Sequence, residues 1–158
     1  MPSDANAITL PQNLYHVNAV VKDVDKTVEF LSSKWGLGPW KVMDFEFTRE
    51  NTIVGEPCKI RLAFAKLGST ALELIQPLEG KSVWSEFLET KGEGLHHIAF
   101  SVSNWDEMVS KVQEHGGKMI AAGIGDGQRF SYFDIRPGGL VIEFEEQSKE
   151  GKPVLTLD

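Results

Sequence analysis

Two histidines and two glutamates, His16, Glu73, His97 and Glu143, recur at matched positions of a duplicated pattern. Two imidazoles and two carboxylates suit one divalent transition ion (Co, Ni, Zn, Mn or Fe) and leave coordination positions open for water or substrate. The chemistry such a set does best is proton abstraction next to a carbonyl. An ion on the carbonyl or thioester oxygen stabilises the charge that develops there, and a glutamate serves as base. Glu143 and Glu73 are the candidate catalytic bases, because they stand on opposing modules and can address the two sides of one carbon. Taken singly, a strand histidine is ordinarily structural and a glutamate on a strand face ordinarily solubilises. Four such residues that repeat in register with a whole module argue for a shared task.

The elements that must position them follow from the repeat. Residues 16–25 match residues 97–106 without a gap, His on His and Asp25 on Asp106. Gly68 to Glu73 likewise lines up with Gly138 to Glu143, Glu on Glu. Alternation in His97-Ile98-Ala99-Phe100-Ser101-Val102 marks a strand whose two faces differ. It turns His97 away from the packed face and leaves His96 on the opposite face as a packing or hydrogen-bonding residue rather than a ligand. His115, at a helix C-terminus, reads as structural.

The first module predicts a strand over 14–21, a helix over 24–34 capped by Asp23, and strands over 40–47, 59–66 and 70–76. Residues 49–57 read as a polar loop long enough to form a lid. A connector, 77–94, carries a short helix begun by Ser82 with Val83, Phe87 and Leu88 inward. The second module predicts a strand over 96–102, a helix over 105–115, and strands over 118–122, 130–135 and 140–145, with a glycine-rich loop at 123–127. The fold class is thus α+β: two βαβββ modules, 14–78 and 95–147, in one domain spanning 14–147. Residues 1–13 and 148–158 read as loose termini.

Composition bounds the function. Hydrophobic residues at 41% and charged residues at 25% are ordinary for a globular chain. No apolar run reaches the roughly 18 residues that suggest a bilayer span, so no membrane partner is expected. A net charge of −7 argues against a nucleic-acid partner. The single cysteine, Cys58, and an N-terminus without a secretory signal point to a cytoplasmic protein.

Four stretches carry a resemblance: His16-Val17-x-x-Val20-x-x-Asp23, Glu73-Leu74-Ile75-x-Pro77-Leu78, Gly94-Leu95-His96-His97-Ile98-Ala99-Phe100 and Gly138-Gly139-Leu140-Val141-Ile142-Glu143. Set in paired modules, they resemble the vicinal oxygen chelate (glyoxalase / bleomycin resistance / dioxygenase) superfamily, and within it the methylmalonyl-CoA epimerase-like and glyoxalase I-like branches. The resemblance covers about residues 14 to 147. It implies a curved mixed sheet around a metal-binding cavity, with His16, His97 and Glu143 on the ion and Glu73 at the fourth position. Some epimerases have Gln at that fourth position, so a His, Glu, His, Glu set is closer to the glyoxalase I type. The second catalytic carboxylate of the epimerases lies on an early strand of the first module, where Asp44 and Glu46 are the candidates. A small-molecule substrate such as an acyl-CoA and a homodimer are also implied.

The leading function is therefore a metal-dependent epimerase or isomerase. Alternatives are a glyoxalase I-like lyase, an extradiol-type dioxygenase using His16, His97 and Glu143, and a non-catalytic drug-binding protein with Trp35, Trp40, Trp84 or Trp105 in its pocket. Arg61 and Lys59 are candidates to hold an anionic group at the cavity wall. Glu145, on the same strand face as Glu143, is expected to be dispensable for turnover.

Overall fold

The structure, a computed structural model, describes residues 7–11, 14–136 and 138–148. The first module runs β1 (Leu14–Val20), α1 (Val24–Trp35), β2 (Trp40–Phe47), β3 (Thr52–Val54), β4 (Cys58–Leu67) and β5 (Thr70–Glu79). After α2 (Val83–Lys91) the second runs β6 (Gly94–Val102), α3 (Trp105–Glu114), β7 (Lys118–Gly125), β8 (Gln128–Asp134) and β9 (Val141–Glu146). The strands form one curled mixed sheet, a half-barrel ordered β2-β4-β5-β1-β6-β9-β8-β7-β3. Its centre is the antiparallel β1–β6 pair, flanked by the parallel pairs β1–β5 and β6–β9. The two modules therefore meet within one chain, each contributing its first strand to the junction.

Local chemistry sets the helices. Asp23 caps α1 by accepting from the Lys26 amide at 3.0 Å, and the helix closes with Gly36 N–H to Ser32 C=O and Leu37 N–H to Leu31 C=O. Val24, Val28 and Leu31 of α1 pack against Ala63 and Leu74. Val112, Met108 and Val109 of α3 pack against Phe133, Ile142 and Phe144, with Trp105 in the same cluster. Both helices cover one face of the sheet, whose strands are hence apolar on two sides. The short helix α2 instead packs Trp84, Val83, Phe87 and Leu88 against Val20, Ile60, Ile75 and Tyr132, and so stoppers one end of the concave face.

Three stretches differ from expectation. Within the loop read at 49–57, Thr52–Val54 forms β3 and pairs with β7 of the other module, Thr52 opposite Gly123. The glycine-rich stretch is mostly strand: β7 runs to Gly125, and a two-residue Asp126-Gly127 turn, with φ of 52° and 80°, leads into β8. Asp-Gly with positive φ at both positions is the hairpin turn that matches strand twist. Gly123 belongs inside a strand because an added Cβ would lie 2.9 Å from the Asn51 carbonyl oxygen and 3.0 Å from the Phe130 ring. The third is in the lead-in read as loose, where Ile8 and Leu10 pack against the α3 cluster. The rest of that lead-in, residues 1–6 and 12–13, lies outside the described residues, as does the tail from 149 onward.

β2 and β3 are the two edges of the sheet, yet they are consecutive in the chain, joined only by residues 48–51.

Candidate metal centre

Strand register brings the four sequence-predicted residues together. Asn18 of β1 stands opposite Glu73 of β5 on one side and His97 of β6 on the other, and Ala99 of β6 stands opposite Glu143 of β9. His16 sits two residues before Asn18 on the same face, so all four side chains meet across the module junction. His16 Nε2 lies 2.9 Å from Glu73 Oε2 and 3.0 Å from Glu143 Oε2. His97 Nε2 lies 2.9 Å from Glu143 Oε2 and 3.5 Å from Glu73 Oε2, and the two histidine Nε2 atoms are 3.2 Å apart. All four residues are at most 5% exposed.

Burying two carboxylates and two imidazoles is costly unless the charges are mutually satisfied. Burial works against the charged imidazole in His16 and His97, but the adjoining carboxylates outweigh it and raise both above the ordinary histidine value. Burial likewise works against the carboxylates, and the imidazoles outweigh it, holding Glu73 and Glu143 below the ordinary range. The same geometry could hold a divalent ion. One donor atom from each residue can be chosen so that all lie within 4.8 Å of one another. Donors at about 2.0–2.2 Å from a four-coordinate ion sit about 3.3–3.6 Å apart, close to the spacings here.

The site opens into a cavity of about 160 Å³ lined by Glu73, Glu143 and residues of β2, β4, β8 and α2. A profile of the Glyoxalase/Bleomycin resistance protein/Dioxygenase superfamily matches residues 15–133. The chain belongs to this superfamily. Among its relatives, an uncharacterized Bacillus subtilis protein, YqjC, is 38% identical over 79 residues, which is half of this chain and 55% of that one. Bovine mitochondrial methylmalonyl-CoA epimerase is 28% identical over 144 residues, covering 84% of this chain and 73% of the relative. Among solved structures, a Streptomyces coelicolor methylmalonyl-CoA epimerase variant in complex with 2-nitronate-propionyl-CoA superimposes with a TM-score of 0.68. It is 24% identical and covers 89% of this chain and 98% of its own. Among the described residues no helix is long and apolar enough to cross a membrane.

Within this superfamily fold, the structure corrects several sequence-based placements. Asn18↔His97 is followed by Ala19↔Leu95, so His96 is an extra residue without a β1 partner, a β-bulge. The bulge swings His96 to the concave side rather than the opposite face. Its Nδ1 lies 2.8 Å from His97 Nδ1, and its ring meets Phe87 and Tyr132 edge-on. Burial first, and the neighbouring His97 second, push its pKa down to about 3, so His96 is neutral.

Asp44 and Glu46 do not face the cavity; the register of β2 gives that face to Met43, Phe45 and Phe47. Asp44 instead pairs with Arg61 at 2.7 Å, and Arg61 also binds Asp25 of α1. Lys59 pairs with Glu79 at 3.4 Å, so neither cation stands at the cavity wall. Of the tryptophans, Trp84 lines the cavity, Trp40 and Trp105 pack on the helix-covered face, and Trp35 is 73% exposed.

Two participants, Asn18 and Tyr132, escaped sequence reasoning, and a third, Glu145, is placed on the right face by the sequence without a role in the cavity. Asn18 donates to Glu73 Oε2 at 3.2 Å, Tyr132 packs its ring 4.6 Å from that of His97, and Glu145 lines the cavity beyond Glu143. Burial, followed by Glu143, pushes Glu145 well above the ordinary carboxylate range. Alternation along β9 carried the signal for its face, since Glu145 shares the face of Glu143.

Proposed function

We propose that the chain is a metal-dependent enzyme that abstracts a proton α to a carbonyl or thioester group, similar in reaction type to the methylmalonyl-CoA epimerases it resembles. The observation that carries this reading is the convergence of His16, Glu73, His97 and Glu143, all buried, with Glu73 and Glu143 lining an open cavity. The donor set fits one borderline divalent ion, Co, Ni, Zn, Mn or Fe. When bound, such an ion supplies Lewis-acid stabilisation of charge developing on a carbonyl oxygen.

The protein supplies the rest. Both carboxylates turn Oε2 toward the imidazoles. Glu143, through its other oxygen, takes the proton from the substrate carbon, and Glu73, from the opposing module, having taken up a proton from solvent, gives it to the other side; Glu143 then releases its proton to solvent, and inversion at that carbon follows. If His97 held an ion through Nε2, its Nδ1 would carry the proton and donate to Nδ1 of neutral His96, 2.8 Å away, which would fix the orientation of the ring. With substrate seated, the apolar walls displace water and strengthen each of these interactions.

The test is metal analysis after chelator-free purification together with loss of α-proton signal in deuterated water across a panel of simple thioesters. About one divalent ion per chain is expected, lost with chelator and in His97→Ala, and exchange should vanish in Glu143→Gln. A protein that binds no ion, or a Glu143→Gln variant with full exchange, refutes the reading.

A further inference from the structure

The walls above the donor set are mostly carbon: Met43 and Phe45 of β2, Ile60 and Leu62 of β4, and Phe130 and Tyr132 of β8 line the cavity. Two polar side chains break that pattern without serving the fold. Gln128 of β8 and Glu145 of β9 also line it, both half-buried, and among the described residues neither side chain hydrogen-bonds to another group. One end atom of each, Gln128 Oε1 and Glu145 Oε2, is buried without a partner. Unpartnered polar groups in a wall cost stability, so two of them together point to something the cavity takes up.

The other polar groups of the lining have neighbours of their own. Glu73 and Glu143 belong to the donor set, and Arg129 donates to Glu146 and Asp106. The Trp84 indole N–H, a donor without a bonded acceptor, stands against Tyr132 at the α2 end. Asp126 is exposed, in the turn between β7 and β8.

Gln128 and Glu145 are placed to act on one group. Phe130 stands opposite Glu145, so Gln128, two residues earlier on the same face of β8, is its diagonal neighbour. Diagonal neighbours lie about 7–8 Å apart, within reach of two long side chains. Glu145 stands roughly 7 Å beyond Glu143 along β9. Gln128 adjoins the exposed Asp126-Gly127 turn, so the way from the donor set to the pair is the way out of the cavity. A carboxyl group keeps an oxygen acceptor in either protonation state, and a turn about the last torsion of Gln128 presents its Oε1 to the cavity. Both side chains therefore accept. A neutral donor suits them better than an ammonium group, which a divalent ion at the neighbouring donor set would repel. Water serves the pair while the cavity is open, and a substrate that displaces it must reproduce its hydrogen bonds or lose affinity.

We propose that Gln128 and Glu145 form a second recognition point, taking a neutral N–H or O–H donor that the substrate carries roughly 7 Å outward from its reacting carbonyl. The substrate class is a carbonyl compound or thioester with an amide or hydroxyl handle. This rests on the carbonyl reading of the site given above; the handle is a different part of the substrate from the part an ion would hold.

The experiment compares two propionyl thioesters on the metal-loaded full chain, the S-(2-acetamidoethyl) and S-(2-acetoxyethyl) compounds, which differ only by an N–H in place of an oxygen. Binding is measured by calorimetry and α-proton exchange by NMR in deuterated water, against a protein-free background. The amide should bind at least about tenfold tighter, because the ester leaves the acceptors unpaired. Gln128→Leu and Glu145→Leu should each reduce the preference below about threefold, while Glu145→Gln, which keeps a carbonyl acceptor, retains it. Neither leucine variant should lower Tm, since neither strands a partner in the protein, whereas a structural role would lower it. Equal binding of the two compounds by the unmodified protein, binding of neither, or a preference that survives in both leucine variants overturns the recognition point, and exchange in those cases leaves the proton chemistry standing. A preference for the amide without exchange of either compound supports the recognition point and overturns the proton chemistry.

Discussion

Asn18→Ala is the sharpest probe of how the donor set is held. Asn18 is fully buried between Glu73 and His97, and its Nδ2 donates to Glu73 Oε2 at 3.2 Å and to the Glu73 carbonyl at 3.5 Å. It is the neutral neighbour that orients one of the two carboxylates. Loss of such an orienting partner typically weakens metal binding 10–100-fold, about 1.4–2.7 kcal/mol. Removing a buried amide also opens space and costs stability of about 1–3 kcal/mol, which must be kept apart from the effect on the site. Urea unfolding in the presence of chelator gives the stability cost alone. Competition for Zn²⁺ against a chromophoric chelator, on protein shown to be folded, gives the affinity. A folded Asn18→Ala protein that holds Zn²⁺ within about two- to threefold of the unmodified chain refutes the assignment of Asn18 as the residue that aims Glu73.

Two further outcomes are expected. Gly123→Ala forces a Cβ against the Asn51 carbonyl and the Phe130 ring. Limited proteolysis should then cut within 48–57 much faster, while the far-UV spectrum changes little. Asp23→Ala removes the cap of α1, and the Lys26 backbone amide, followed by its side chain, holds that carboxyl below its ordinary value. A depressed folded-state pKa stabilises above the ordinary carboxyl range and is lost as pH falls through the depressed value, so the Tm gap between the two proteins should be clear near pH 7 and close in acid.

Much of this molecule was legible in the chain because a duplicated pattern constrains twice. His16 and His97, Glu73 and Glu143 each fell in the register that faces away from the helices, and Val24, Val28 and Leu31 marked the buried side of α1. What escaped shares a physical cause: tertiary contacts overriding local periodicity. Alternation sends His96 outward, but one unpaired residue in β6 reverses its face, and a bulge leaves no mark in composition. Thr52–Val54 is too short to register as a strand until β7 offers it a partner through Gly123. Arg61 and Asp44 are cavity candidates by residue type alone, yet each sits in the polar register of its strand and they neutralise each other outside. The walls were apolar because their strands had already given that face to Phe, Met, Ile and Leu.

The short link between the two edge strands fixes the shape of the whole. Laid flat, nine strands would put the outermost two about 38 Å apart. Residues 48–51 connect Phe47 to Thr52, and a stretch of that length reaches at most about 18 Å. The sheet has no flat state open to it while both edges stay paired. Curvature is thus imposed by the covalent chain, as a buckle sets the girth of a belt, and does not depend on a ligand to draw the walls inward. Adjustment to guests of different size falls to side chains such as Met43 and Phe45 and to the α2 stopper, while the staves of the half-barrel keep their spacing.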